Sequence, residues 1–199
     1  MIPANEALAR LRAGNLRFVE SRQGPPPRPG TSQQPFAIVL GCSDARVPAE
    51  LVFGQGFGDL FVIRVAGNIV APSQVGSVEF AAELFGIRLA VVLGHTQCGA
   101  VTATLEALRR PRGTESPNLR AIVERIRPAV EPLVVAGDEQ GAEVVAAAVR
   151  ANVRASVEQL RHGSTLLERR VEQDGLLVVG AEYCLETGAV EFFDGAPFA

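Results

Sequence analysis

The sequence predicts an α/β domain with a mostly parallel central β-sheet flanked by helices, and three observations predict it. First, short runs of continuous apolar residues recur: FAIVLG at 36–41, LFVIRVAG at 60–67, RLAVVLGH at 88–95 and GLLVVGAEY at 175–183. A strand that is apolar at successive positions is buried on both faces, as parallel sheets require. Second, stretches of helical periodicity lie between these runs, and that alternation is the mark of an α/β fold. Third, the chain has 199 residues, 47% of them hydrophobic, which is enough for one well-buried domain and short for two.

In chain order, residues 4–21 form the first expected helix, with Leu8, Leu11 and Phe18 at roughly helical spacing and Arg and Glu between them. Gly24 to Pro35 is rich in Pro, Gly, Ser and Gln and reads as an extended connector. A tether of this kind lets the first helix leave its own core and pack on a partner subunit. The first two strands, 36–41 and 60–67, follow. A helix over 73–85 precedes the third strand, and helices over 98–109, 117–127, 141–162 and 164–173 come after it. The fourth strand, 175–183, is followed by AVEFF at 189–193, which pairs with it across a turn at Glu186–Gly188. The expected organisation is one domain over 1–199: an N-terminal helix and connector over 1–35 and an α/β core over 36–199.

Composition narrows the partners. The net charge is −3 and there is no block of basic residues, which argues against nucleic acid. No apolar run approaches the ~20 residues of a membrane span. The N-terminal stretch is amphipathic, without the apolar core and small-residue cleavage site of a secretory signal. Three cysteines cannot all pair within the chain. The expectation is a cytoplasmic protein.

Ligands of open α/β sheets bind beyond the carboxyl ends of the strands, and two such ends carry unusual residues. One reads Gly41-Cys42-Ser43-Asp44-Ala45-Arg46, the other Gly94-His95-Thr96-Gln97-Cys98-Gly99-Ala100. His95 and Cys98, three apart at a strand-to-helix junction, can reach one ion; alone they read better as a core cysteine near a loop histidine. Cys42, at the end of another strand, completes a Cys2His set. Imidazole and thiolate suit Zn2+. Three protein ligands leave a fourth position open for water, whose pKa zinc lowers to about 7. Asp44 is close enough to ligate the metal itself, and Arg46 can hold it off through charge-assisted hydrogen bonds; the plain alternative is a surface ion pair. Gly41 and Gly99 allow close backbone approach, and the Gly99 N–H at a helix N-terminus favours an anion such as bicarbonate.

These two motifs resemble those of the β-class carbonic anhydrases. The likeness extends to RVPAELVFGQGFGDLFVIRVAGN at 46–68, SVEFAAELFGI at 77–87, the opening ALARLRAGNLRFVES and the closing VVGAEYCLETGAVEFF; residues 110–140 carry it least. The resemblance implies zinc-dependent reversible hydration of carbon dioxide to bicarbonate and a proton, with one zinc per chain on Cys42, His95 and Cys98. It implies hydroxide at the metal oriented by an Asp44–Arg46 dyad. Gln33 would bond a substrate oxygen, and Phe61, Ala66 and Phe80 would line an apolar pocket, with aromatic side chains supplied by the neighbouring subunit of a homodimer or tetramer. Phe80 stands where many members have Tyr. Val39 stands where some bacterial members have a Trp that shapes a regulatory bicarbonate site, and the chain has no Trp; an arrangement with Asp44 off the metal is therefore expected. Two alternatives share the residues: hydrolysis of carbonyl sulfide or carbon disulfide on the same scaffold, and a non-catalytic zinc-binding or redox protein with Cys42 and Cys98 as a reversible disulfide.

Other residues receive ordinary roles. Cys184 reads as a small buried hydrophobe, His162 as a helix C-terminal histidine and Tyr183 as packing on the sheet. Thr96 and Gln97 support the ligands they separate.

Overall fold

Ala37–Gly41 (β1) is buried at every position, and its alternate side chains enter two different cores. Ile38 and Leu40 join one cluster, while Val39 joins another with Val91, Leu93, Val179 and Ala181. That two-sided burial is why the run is apolar throughout rather than alternating. In the computed structural model, which describes residues 2–21, 33–109, 116–134 and 141–196, β1 is joined by Leu60–Arg64 (β2), Leu89–His95 (β3), Leu177–Tyr183 (β4) and Val190–Asp194 (β5). The five strands form one sheet in the order β2-β1-β3-β4-β5. All neighbours are parallel except β4 and β5. The expected hairpin is present: Cys184 and Ala189 close it through Cys184 N to Ala189 O at 2.8 Å.

The first helix, Ala4–Ser21 (α1), belongs to a unit of its own, Met1–Gln33, while Gln34–Ala199 forms the second. Within the second unit the helices are Ala49–Val52 (α2), Pro72–Leu84 (α3), Gly99–Leu108 (α4), Pro117–Val130 (α5), Ala142–His162 (α6) and Thr165–Gln173 (α7). Val78, Ala81 and Ala82 of α3, Val153, Val157 and Leu160 of α6 and Leu167 of α7 pack on one sheet face with Ile38, Leu40, Val92 and Val178. The opposite face is covered by Val47, Ala49, Val52 and Phe53 around α2, with Tyr183 and Leu185. A third cluster joins α4, α5 and α6 through Val101, Leu105, Ile126, Val130, Ala148 and Val149, and it also includes Cys42 and Cys98. The connector expected over 24–35 falls mostly outside the described residues.

Three elements differ from expectation. The second strand stops at Arg64 rather than at Gly67, because Ala66–Asn68 is a 3-10 turn in which Gly67 (φ 70) and Asn68 (φ 43) are left-handed. The fifth helix runs through Pro128 to Val130. Proline deprives that last turn of one hydrogen bond, and the complete burial of Ile126 and Val130 holds it nonetheless. The short α2 has no sequence periodicity to betray it. Close approach of α6 to the sheet depends on Gly94 of β3, where a Cβ would come within 2.5 Å of Val153 Cγ2.

Candidate metal centre

β1 and β3 are neighbours, and Gly41 pairs with Leu93. Cys42 leaves one strand end and His95 closes the other at almost the same level. The chain then reverses: Gln97 is left-handed, with φ 57, and this returns Cys98 to the start of α4, where it is the N-cap. Among the described residues, Cys42, His95 and Cys98 form a buried group whose ligand atoms lie within 4.8 Å of one another. They are 6%, 0% and 1% exposed.

The donor set fits zinc. The Cys42 and Cys98 sulfurs are 4.0 Å apart, close to the ~3.8 Å between two thiolates on a tetrahedral zinc with Zn–S near 2.3 Å. His95 Nδ1 lies 2.9 Å from the Thr96 carbonyl. A carbonyl only accepts, so Nδ1 carries the proton and Nε2 presents a lone pair. Nε2 is buried and has no hydrogen-bond partner. A buried polar atom without a partner needs an explanation, and a metal ion between Nε2 and the two sulfurs provides one.

Electrostatics agree with ligation. The Cys42 thiol is lowered to about 4, chiefly by the hydrogen bond from Cys98, with His95 and the Gly67 N–H assisting against burial. Cys98 is pushed up by the same hydrogen bond and by burial, while the backbone N–H groups of Val101 and Ala100 in the first turn of α4 pull it back. Burial works against charge on His95, but the Cys42 sulfur and the Thr96 carbonyl outweigh it and raise its pKa. Protons therefore occupy positions that a metal displaces.

Asp44 stands beside this group, its Oδ2 3.9 Å from His95 Nε2. Arg46 grips both oxygens, Nε to Oδ1 at 3.0 Å and Nη2 to Oδ2 at 2.8 Å, and the Arg46 backbone N–H adds a third bond at 3.0 Å. Those bonds hold the Asp44 carboxyl well below the usual carboxylate range. Thr96 braces the other side: its hydroxyl accepts from Leu185 N at 3.0 Å and its N–H donates to Tyr183 O at 3.0 Å. Gln97 is exposed and serves through its backbone turn.

The remaining sequence candidates are spread over several elements. Phe61 and Phe80 gather with Phe85, ring centroids 5.9–6.2 Å apart, and Phe80 is 52% exposed. Ala66 is half-buried in the 3-10 turn, Gly99 is the exposed first residue of α4, and Gln33 is exposed at the end of the N-terminal unit. His162 closes α6 with Glu158 and Glu168 at 3.6 and 3.3 Å. Cys184 is a correction: it is half-buried in the hairpin turn rather than in the core, and hydrogen bonding to Thr187 lowers its pKa. β4 ends at Tyr183, so Cys184 lies beyond the strand, at the start of the turn.

Sequence reasoning missed Arg64. From the end of β2 its Nε donates to Cys42 O at 2.9 Å and its Nη2 to Asp44 O at 2.6 Å, tying down the loop that carries Cys42, Asp44 and Arg46. An arginine ending an otherwise apolar run was the available signal.

Comparison with known proteins points to one family. A family model described as "Carbonic anhydrase" matches residues 37–190. The chain is 38% identical to a carbonic anhydrase of Mycolicibacterium smegmatis, covering 91% of this chain and 89% of that one. It is 36% identical to carbonic anhydrase 2 of Mycobacterium tuberculosis, covering 89% and 87%. Among solved structures, the β-carbonic anhydrase CafA of Aspergillus fumigatus superposes with a TM-score of 0.77 at 25% identity over 98% of this chain and 92% of that one. The β-carbonic anhydrase CcaA gives a TM-score of 0.78 at 24% identity over 96% and 93%.

Proposed function

The chain belongs to the carbonic anhydrase family, in its β class, and from that membership we propose that it catalyses the reversible hydration of carbon dioxide to bicarbonate and a proton, with one zinc per chain on Cys42, His95 and Cys98. The observation that carries the metal is the buried, unpartnered Nε2 of His95 facing two thiols 4.0 Å apart. Bound there, zinc supplies Lewis acidity and a water ionised near pH 7.

The chain's own residues do the rest. Cys42 and Cys98 bind as thiolates, and His95 binds through Nε2 with its tautomer fixed by Thr96. Asp44, kept ionised and turned aside by Arg46, accepts a hydrogen bond from the attacking nucleophile and fixes its lone pair toward carbon dioxide. Gln33 donates to a substrate oxygen, and the Gly99 N–H at the start of α4 favours bicarbonate. Phe61, Ala66 and Phe80 wall an apolar pocket completed by the neighbouring subunit of a homodimer or tetramer, on which α1 packs. The proton leaves to buffer. The protein works in the cytoplasm.

The test is carbon dioxide hydration by stopped flow over roughly pH 6 to 9, on protein of measured zinc content, beside Asp44→Ala. The expected result is about one zinc per chain, activity rising with pH and a loss of about 100-fold or more in the variant with zinc retained. Zinc at full occupancy without hydration anywhere in that range would overturn the proposal and direct the assay to carbonyl sulfide and carbon disulfide.

A further inference from the structure

Two buried polar side chains interrupt the apolar inner face of α6. Asn152 and Ser156 are 2% and 4% exposed and four residues apart, hence on one side of the helix, among Val149, Val153, Val157 and Leu160. Buried amides and hydroxyls hold such positions only with partners. Both partners lie in one turn: Asn152 Nδ2 donates to Gly67 O at 2.8 Å, and Ser156 Oγ donates to Asn68 O at 3.1 Å.

That turn needs holding. Gly67 and Asn68 are consecutive left-handed residues, a pairing that glycine and asparagine tolerate better than other residues but that two residues in succession keep only when their carbonyls and N–H groups are held. Gly67 is also tightly enclosed, since a Cβ there would meet Ile126 Cδ1 at 2.8 Å and Ala100 Cβ at 3.1 Å. The side chain of Asn68 does not explain the arrangement, because its buried Nδ2 has no partner; α6 grips the backbone. What the turn delivers is the direction of one N–H: Gly67 N donates to the Cys42 sulfur at 3.4 Å.

We propose that Asn152 and Ser156 are positioning residues for the metal centre: by pinning the carbonyls of Gly67 and Asn68 to α6, they aim the Gly67 N–H at the Cys42 sulfur and so set how strongly that thiolate donates to the metal. The inference rests on the assignment of Cys42 as a ligand. An N–H bonded to a thiolate withdraws charge from it, and partners of this kind orient and tune the ligands they touch. The polar pair on α6 therefore acts on the metal through a turn that neither residue belongs to.

The test uses the full chain loaded with Co2+, read by its thiolate-to-cobalt charge-transfer absorption and by the rate at which a chelator removes the metal. Asn152→Asp keeps the shape but sets an acceptor against the Gly67 carbonyl, and Ser156→Ala removes the second bond. Both variants are expected to move the charge-transfer band to longer wavelength and to lose cobalt about tenfold faster, while Ser156→Thr, which keeps the hydroxyl, behaves as the parent. A role confined to packing would lower the melting temperature and leave the band in place. If Asn152→Asp does not fold, Ser156→Ala decides. Folded variants whose band and cobalt-loss rate coincide with the parent overturn the proposal. A parent protein that shows no thiolate-to-cobalt band overturns the ligand assignment itself, a distinct failure.

Discussion

At the scale of the residue, the centre is built from atoms left with one possible use. His95 spends Nδ1 on the Thr96 carbonyl, which leaves Nε2, and Asp44 takes an Arg46 side-chain bond on each oxygen and keeps further lone pairs for one more donor. The role of Arg64 is of a different kind, since its two bonds go to backbone carbonyls two residues apart, Cys42 O and Asp44 O. A planar guanidinium spans that gap and a point-like ammonium does not. Arg64→Lys and Arg64→Ala are therefore both expected to cut hydration roughly tenfold while zinc content, measured by atomic absorption, stays at the parent level. A lysine variant with full activity would show that charge alone suffices.

At the scale of the element, the fit between α6 and the sheet places the polar residues of that helix next to the centre. Gly94→Ala puts a methyl where Val153 Cγ2 already lies, 2.5 Å from the ideal Cβ position. The expected cost is about 1–3 kcal/mol in denaturant unfolding, and Val153→Ala in the same chain should recover part of it, seen as a non-additive double-mutant cycle. On the far side of α6, Arg150 bridges β4 and β5 by bonding Glu182 at 3.2 Å and Glu191 at 2.8 Å. Burial raises the Glu182 carboxyl, and Arg150 offsets that only in part. A folded-state pKa above the unfolded one means that the folded protein holds this proton more tightly. The stability it contributes is present below the ordinary carboxylate range and is lost as pH rises through the raised value. Glu182→Gln, which mimics the protonated carboxyl at every pH, should thus match the parent at about pH 4 and become the more stable of the two toward about pH 7; a variant that loses stability relative to the parent as pH rises would show that the Arg150 ion pair dominates instead.

At the scale of the whole molecule, several large apolar side chains stand exposed in the single chain. Leu11, Leu16 and Val19 of α1 are 72%, 63% and 61% exposed, and Leu84 at the end of α3 is 63% exposed beside Phe80. An 18-residue helix with its leucines in water is marginal alone, and packing on a second subunit is the expectation. Sedimentation is expected to give a dimer or tetramer for the full chain. Removal of residues 1–21, or Leu84→Glu, should shift the distribution to smaller species, and a monomeric parent chain at micromolar concentration would contradict the expectation. No helix among the described residues is long and apolar enough to cross a membrane.

What the sequence determined by itself was whatever is written locally. Continuous apolar runs identified the buried strands, periodicity identified the long helices, and the two motifs at strand ends identified Cys42, Asp44, Arg46, His95 and Cys98 as a group, because parallel strands present their carboxyl ends together. The tertiary structure decided what depends on distant partners. Residue 64 reaches back 20 and 22 positions to its carbonyls, and Asn152 and Ser156 reach 85 and 88 to theirs. No window of sequence contains both ends of such a bond. The same holds for the late end of α5: a buried Val130 beyond a proline is imposed by packing on other elements, which outweighs the local preference of the proline.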